Sequence, residues 1–274
     1  MQTFLGVRFL ATEYATGKTH RGRIDSLGLD ENDCPVIVEY KRHSTENVIN
    51  QGLFYLDWLL DHRAEFQLLV MQKLGNEAAN DIDWAGTRLL CIAADFTRYD
   101  EHAVQQIPRN VELIRYKLFG EDLLLLDLVN AVSVSDATLA KAVASDAAAP
   151  AKPRGQGKDK TVDERLAGAQ PEIRALYDAL ASHLLALGDD VQEKRLKLYV
   201  AFRRLKNFAC VVPYRDKLLV TLKLNPDTVA PEEGFSRNVR DIGKWGTGDL
   251  ELTVRSRADM DRALPLLERS YNEN

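Results

Sequence analysis

The sequence predicts two folded domains joined by a linker: an α/β domain with a mixed central sheet over residues 1–132 and a smaller α+β domain over 166–274. Three observations lead to this prediction. In the first range, segments with the alternating hydrophobicity of strands occur between segments of helical period, which is typical of a sheet covered by helices. From 133 to 165, bulky apolar residues give way to Ala, Ser, Asp, Pro, Lys and Gly, a composition that favours a flexible linker. Beyond it, a helix, several strands and a closing helix follow.

In the first domain, each element is predicted from its own hydrophobic pattern. Val36, Ile37 and Val38 are consecutive apolar residues, which indicates a strand buried on both faces. Between 46 and 62, apolar residues recur at the helical period. Asp100 caps a short helix that Pro108 ends. The predicted strands are 6–14, 23–29, 35–41 and 88–94, with a hairpin of 111–118 and 123–129, and the predicted helices are 46–62, 64–79 and 100–107.

In the second domain, an amphipathic helix precedes a set of strands. The segment 191–202 is ambiguous between helix and strand, and its β-branched and aromatic residues favour a strand over 196–202. The turn residues from Pro213 to Asp216 predict a hairpin around them. The predicted order is helix 171–187, strand 196–202, strands 208–212 and 217–224, strand 249–254 and helix 258–271.

The composition is that of an ordinary globular protein, with 274 residues, 45% hydrophobic residues and 28% charged residues. Cys34, Cys91 and Cys210 lie far apart, so we expect neither a disulfide framework nor a zinc site, which fits a reducing cytoplasm. The chain has no signal peptide pattern and no apolar run long enough to cross a membrane. Gly-x-Gly-x-x-Gly, P-loop and His-Glu-x-x-His patterns are absent, which argues against a Rossmann domain, a P-loop domain and a histidine zinc site.

Charged residues on two adjacent strands form the candidate site. Glu39 and Lys41 point to one face of an otherwise apolar strand, and Asp25 lies on the neighbouring strand. A salt bridge between Glu39 and Lys41 would explain them as structure alone. The alternative is a metal-dependent site, because two carboxylates together with a substrate phosphate suit a hard cation such as magnesium.

Asp25 followed by Glu39-Tyr40-Lys41 resembles the motif of the PD-(D/E)XK nuclease superfamily. Gln51 to Tyr55 on the next helix resembles the Gln-x-x-x-Tyr signature of its RecB-like branch. The surrounding sequence segments, Arg-Ile-Asp-x-Leu-Gly and Val-Glu-Tyr-Lys-Arg, resemble those of bacterial proteins that join such a nuclease to a C-terminal domain of unknown function. One departure is Ile24, which stands where the superfamily usually has proline. The helix that usually precedes the first strand is here reduced to 1–5 or missing, which leaves Glu13 as the upstream acid to consider.

This resemblance implies a restriction-endonuclease-like first domain and a nuclease that hydrolyses DNA phosphodiesters with Mg²⁺ or Mn²⁺. Asp25, Glu39 and the carbonyl of Tyr40 would bind the metal, and Lys41 would orient the attacking water and stabilise charge on the phosphate. Gln51 and Tyr55 would hold the geometry of the site or the substrate strand. The resemblance implies DNA as the partner and no organic cofactor, and it leaves a homodimer open.

Basic residues around this site form the predicted nucleic-acid surface, although the net charge is −5. A second basic run, with Tyr199 and Phe202 interleaved, lies in the C-terminal domain, where a solvated sheet face is the alternative. The predicted contacts are Lys18, Arg21, Arg23 and Arg42 in the first domain, and Lys194, Arg195, Arg203 and Arg204 in the second.

One further function remains open at this stage, a protein that keeps the nuclease fold but only binds nucleic acid or a protein partner. DNA versus RNA and end versus internal cleavage also remain open.

Overall fold

The computed structural model describes residues 1–17, 21–41, 48–132 and 159–274. By its internal contacts the chain divides into two compact units, Met1–Ala151 and Lys152–Asn274. The first is a mixed α/β unit, and the second combines an antiparallel sheet with helices. The predicted linker, 133–165, lies outside the described residues except for its last part.

The first unit follows the predicted order of elements. A one-turn helix precedes the first strand, and the helix predicted over 64–79 is divided in two at Gly75. Thr97, with Asp100 in a capping box, begins the helix that was predicted to start at Asp100. The elements are α1 (Gln2–Leu5), β1 (Val7–Ala15), β2 (Arg23–Asp30), β3 (Pro35–Lys41), α2 (Val48–Asp61), α3 (Arg63–Leu74), α4 (Asn76–Asn80), a 3₁₀ turn (Trp84–Gly86), β4 (Arg88–Ala93), α5 (Arg98–Gln105), β5 (Asn110–Phe119) and β6 (Leu123–Val132).

Its six strands lie in chain order in one mixed sheet. β1, β2 and β3 are antiparallel, β3, β4 and β5 are parallel, and β6 returns antiparallel to β5. The two parallel pairs are joined through helices, as crossover connections require. The mixed central sheet predicted from the sequence is therefore confirmed.

One face of this sheet packs against the helices. Ile37 on β3 and Leu89 on β4 share a core with Trp58 and Leu59 of α2, all 2% exposed or less, and with Phe66 of α3. Because each buried side chain of this size contributes about 1.5–3 kcal/mol, this core fixes the position of β3 against α2.

The alternation of β2 is broken just where the candidate site lies. Ile24 and Leu27 both belong to the helix-side core, although residues three apart on a regular strand face opposite sides. The regular pairing of β2 with β3 runs from Leu29 to Ser26 and stops there. The irregularity therefore falls on Asp25 and its neighbour.

A buried charge network lies at the other end of the same sheet. Arg88 of β4 contacts Asp30 of β2 at 3.0 Å and Glu112 of β5 at 3.2 Å. All three side chains are 5% exposed or less. The network ties together three strands that the apolar pattern alone did not connect.

The second unit has one six-stranded antiparallel sheet, with helices on one face. A capped helix, Val162–Gly168, begins inside the range predicted as linker. The elements are α6 (Val162–Gly168), α7 (Pro171–Leu185), β7 (Gln192–Arg195), β8 (Val200–Arg203), β9 (Asn207–Pro213), β10 (Leu218–Leu222), a 3₁₀ turn (Pro226–Thr228), β11 (Ser236–Asn238), β12 (Leu250–Val254) and α8 (Arg257–Glu273).

The prediction of one strand over 196–202 was wrong. The segment is a hairpin, in which β7 ends at Arg195 and β8 begins at Val200. Leu196 is buried and its N–H donates to the carbonyl of Tyr199, which closes the turn. The strand β11 and the helix α6 were not predicted, because a three-residue strand and a seven-residue helix carry too little periodicity.

Among the residues that the structure describes, no helix is long and apolar enough to cross a membrane.

Candidate active site

Asp25 and Glu39 replace the main-chain ladder at the point where β2 and β3 stop pairing regularly. The N–H of Asp25 donates to Oε1 of Glu39 at 3.1 Å, and the N–H of Tyr40 donates to Oδ2 of Asp25 at 2.9 Å. Each carboxylate therefore accepts a hydrogen bond from the backbone of the opposite strand. The two acids predicted from the sequence lie side by side.

The main chain around Asp25 is fixed from both sides. The hydroxyl of Thr12 on β1 donates to the carbonyl of Asp25 at 2.9 Å. Tyr40 binds the side chain of Asp25 on the β3 side. Asp25 is thus held by both neighbouring strands.

Glu39 is fully buried, and within the part of the chain that the structure describes only one of its two carboxylate oxygens accepts a hydrogen bond. Its side chain is 0% exposed, and among the described residues Oε2 has no hydrogen-bond partner. Burial raises the pKa of Glu39 to about 8. The N–H of Asp25 lowers that pKa, the Asp25 carboxylate raises it and the positive charge of Lys41 lowers it, all less strongly than burial acts.

A buried carboxylate oxygen without a partner requires either a proton or a cation. At neutral pH and without metal, the raised pKa favours the proton. The donor set also fits a hard divalent cation, which two carboxylates and one carbonyl would hold while water and phosphate complete its shell. No group of three or more His, Cys, Asp or Glu side chains suited to a metal occurs among the described residues, so the protein would supply only part of the shell.

Lys41 lies next to these acids and lines the same cleft as Asp25. It is half-buried on β3, and its ammonium group is close enough to Glu39 to lower the pKa of that carboxyl. Asp25, Glu39 and Lys41, which the sequence placed in one motif, are therefore brought together.

Tyr55 binds the main chain of β2 and Gln51 binds Tyr55. Neither residue lines the cleft. Tyr55 is 6% exposed, and its hydroxyl accepts the N–H of Arg23 at 3.2 Å. The side-chain amide of Gln51 donates to the same hydroxyl at 3.4 Å. Gly22 lets the strand approach, since a Cβ there would lie 2.5 Å from the Tyr55 ring. This pair positions β2 two residues before Asp25.

The Asp25 carboxylate opens into a cleft with a volume of about 620 Å³. Asp25 and Lys41 line it, whereas Glu39 lies behind them. Its polar lining consists of Thr12, Glu13, Asp25, Ser26, Tyr40 and Lys41, and its apolar lining of Met1, Phe4, Leu5, Ile92, Tyr116, Leu124 and Leu126.

The predicted basic contacts near this cleft are only partly described. Lys18 and Arg42 lie outside the described residues. Arg23 forms an ion pair with Glu13 at 3.3 Å, with both side chains largely exposed. Two residues near this site have a positive φ. Glu13, in β1, has φ 50°, and Arg21, just before β2, has φ 48°.

In the second unit, the predicted contacts are already engaged within the domain. Arg203 is 1% exposed, and its guanidinium donates to the carbonyls of Arg204 and Leu205. Arg204 pairs with Asp190 at 2.6 Å, and Arg195 pairs with Glu193 at 3.1 Å. Lys194 is half-buried and also has a partner. Because a buried guanidinium cannot reach a phosphate, we leave Arg203 out of any interface.

Sequence reasoning missed two neighbours of the site. Thr12 carries no motif, and only the pairing of β1 with β2 brings it to Asp25. Cys91 lies opposite Glu39 on the parallel strand β4, and burial together with the Glu39 charge raises the pKa of its thiol. That thiol is therefore a neutral part of the wall behind Glu39.

Comparisons with known proteins give no activity for this arrangement. Residues 162–274 match the model of a family described as a domain of unknown function, DUF5655. The chain is also 26% identical to an uncharacterised protein of Haemophilus influenzae over 270 residues, which is 98% of this chain and 88% of that protein. No solved structure matches the chain significantly. The similarity to the relative extends through both units.

Proposed function

We propose that the protein is a metal-dependent nuclease that hydrolyses phosphodiester bonds in DNA. The observation that carries this proposal is the paired placement of Asp25 and Glu39, with one buried Glu39 oxygen lacking a partner, beside Lys41 in an open cleft. The resemblance to the PD-(D/E)XK nuclease superfamily supports the same reading. The free cysteines, all buried, suit the reducing cytoplasm that we propose as its location.

In this proposal, Asp25, Glu39 and the Tyr40 carbonyl would hold Mg²⁺ or Mn²⁺. A cation bound there would lower the pKa of a water ligand and neutralise charge on the phosphate. Lys41 would donate hydrogen bonds to the attacking water and to a phosphate oxygen, where negative charge develops. Gln51 and Tyr55 would keep β2 in register, so that Asp25 faces the phosphate. Arg21 and Arg23, which precede Asp25 in the chain, would attract the nucleic-acid backbone.

The C-terminal unit has no role in these steps. We propose that it is an accessory domain, joined through the linker over 133–165, that binds nucleic acid or a partner. Its clearest cationic features, Arg195 and Arg204, are neutralised by neighbouring acids, so a protein partner fits this unit as well as nucleic acid does.

The test is cleavage of plasmid and linear DNA by the full-length protein with Mg²⁺, with Mn²⁺ and with EDTA. Lys41→Ala should reduce cutting by at least about a hundredfold, in line with the loss of a charge-stabilising donor. Lys73→Ala, an exposed lysine on α3, is the matched control and should cut at the parental rate. If the Lys41 variant is folded and cuts at the parental rate, the role of Lys41 is wrong.

The non-catalytic reading predicts a different outcome in the same assay. It is favoured by the lack, among the described residues, of any group of three or more His, Cys, Asp or Glu side chains suited to a metal. A protein of that kind would bind DNA or Mg²⁺ and would leave the substrate intact under all conditions.

A further inference from the structure

The cleft beside the carboxylates has an apolar, aromatic wall that metal binding and phosphate binding do not explain. Phe4 and Tyr40 line it with 55% and 41% of their surface exposed, and Tyr116 lines it half-buried. Leu124 adds a further 41% exposed apolar side chain. Rings left open in a cleft next to a charged site indicate a ligand with a flat apolar surface.

The charged residues that line the cleft also argue against a duplex as the ligand. Among its described lining residues, Lys41 is the one basic side chain, and Glu13 and Asp25 are acidic. Arg23, the neighbouring cation, is paired with Glu13. Binding to duplex DNA depends mainly on several Lys and Arg side chains that contact phosphates. This lining offers little of that contact.

An unpaired base would present a flat apolar surface to this aromatic wall. In a duplex the faces of the bases are stacked inside the helix, whereas in a single strand they are free to stack on aromatic side chains. Tyr40 is well placed for such stacking, since its own N–H binds Asp25 and holds its backbone against the carboxylate pair. The cleft volume of about 620 Å³ lies in the range of pockets that enclose small ligands.

We propose that this cleft takes unpaired nucleotides, so that the substrate class of the site is single-stranded DNA. One base would stack on Tyr40 and the next on Tyr116, with the phosphate between base and carboxylates directed to Lys41. The inference rests on the proposed nuclease function for the role of that phosphate. The aromatic wall can be tested independently of cutting.

The experiment measures binding of the full-length protein to a short oligonucleotide that contains 2-aminopurine, as a single strand and as the matched duplex. Ca²⁺ replaces Mg²⁺ to slow cleavage, and quenching of 2-aminopurine fluorescence reports stacking of the base. We expect the single strand to bind at least about tenfold more tightly than the duplex. Tyr40→Ala and Tyr116→Ala should each weaken single-strand binding by about five- to 150-fold, the range for one lost stacking contact.

Two comparisons separate stacking from other effects. Tyr40→Phe and Tyr116→Phe keep a ring, so they should bind the single strand more tightly than the corresponding alanine variants. Tyr99→Ala removes a tyrosine that is 70% exposed and does not line the cleft, and it should leave binding unchanged. Circular dichroism establishes that each variant is folded.

Equal or tighter binding of the duplex, or unchanged single-strand binding by folded alanine variants, would overturn the inference. Failure of the nuclease proposal would give a different result in the binding and cleavage assays. In that case the protein binds and quenches the single strand but cuts nothing with Mg²⁺ or Mn²⁺. Cutting of duplex DNA at a rate that Tyr40→Ala does not change would keep the nuclease and remove the single-strand preference.

Discussion

Asp25 and Glu39 are joined across two strands by a hydrogen bond in which the main chain of one residue binds the side chain of the other. Asp25 N–H donates to Glu39 Oε1 at 3.1 Å, and the second Glu39 oxygen is buried without a partner. This geometry leaves Glu39 in a state that must be relieved by a proton or by a cation. The first two predictions test these alternatives.

The proton on Glu39 should make folding stability depend on pH. Its pKa rises from 4.5 to about 8 on folding, so the folded protein retains a proton that the unfolded chain releases. Stability contributed by this group is therefore present below about pH 4.5 and is lost as the pH rises to about 8. The loss is on the order of 2–5 kcal/mol.

Glu39→Gln tests this directly, because the amide cannot ionise. Denaturant unfolding at several pH values should show the variant more stable than the parent at pH 9 and similar to it at pH 5. A salt bridge between Glu39 and Lys41 predicts the reverse, with the variant less stable at high pH, and that result would exclude our account.

The cation alternative predicts that Mg²⁺ stabilises the folded protein more strongly at pH 8.5 than at pH 6.5, because binding must displace the Glu39 proton. At a tenfold excess over Kd the gain is about 1.4 kcal/mol. Thermal unfolding with and without Mg²⁺ measures it. The gain should disappear in Asp25→Asn and in Glu39→Gln, and it should persist in Glu77→Gln, an exposed acid on α4. Persistence of the gain in both site variants would place the metal elsewhere.

The hydroxyl of Tyr55 should matter through the strand that it holds. Tyr55→Phe removes the acceptor for the N–H of Arg23 and the partner of Gln51. We expect a loss of about 1–2 kcal/mol in the free energy of unfolding. Because β2 would then carry Asp25 less precisely, we also expect cleavage to fall more than stability alone explains.

The measurement for Tyr55 compares kcat and the Mg²⁺ dependence of cleavage at a temperature where the variant is fully folded. Tyr14→Phe, which removes a hydroxyl bound to Glu65 at 2.8 Å, is the matched control. A Tyr55 variant with reduced stability but parental kcat and metal dependence would show a purely structural role.

Much of the fold could be predicted because its strands carry strong local signals. β3 and β4 are continuous apolar segments, and the turn between β2 and β3 contains the polar residues that turns require. The hairpin of β7 and β8 was missed because Leu196 is buried in the turn, so the apolar pattern continues through the reversal. Local pattern cannot reveal a reversal that is stabilised by a buried turn residue.

The candidate site was likewise only partly predictable from the sequence. The spacing of Glu39 and Lys41 on a strand was visible in the sequence, and so was an acid on the neighbouring strand. The break in alternation at Asp25 was not visible, because it depends on which face Ile24 and Leu27 reach in the core. The position of Thr12 depends on the register of β1, which no local signal specifies.

The Arg88 network gives a further prediction about the sheet that carries the site. Arg88 pairs with the buried Asp30 at 3.0 Å and with the buried Glu112 at 3.2 Å, and these pairs account for an arginine at the start of an otherwise apolar strand. Arg88→Met would keep the apolar volume but remove the positive charge that Arg88 places beside two buried carboxylates. Breaking a buried pair in this way typically costs about 3–5 kcal/mol.

Denaturant unfolding at pH 7 measures that cost, with Arg98→Met on the exposed surface of α5 as the control. We expect the control to change stability by less than about 0.5 kcal/mol. An Arg88 variant as stable as the control variant would show that the charge network does not stabilise this end of the sheet.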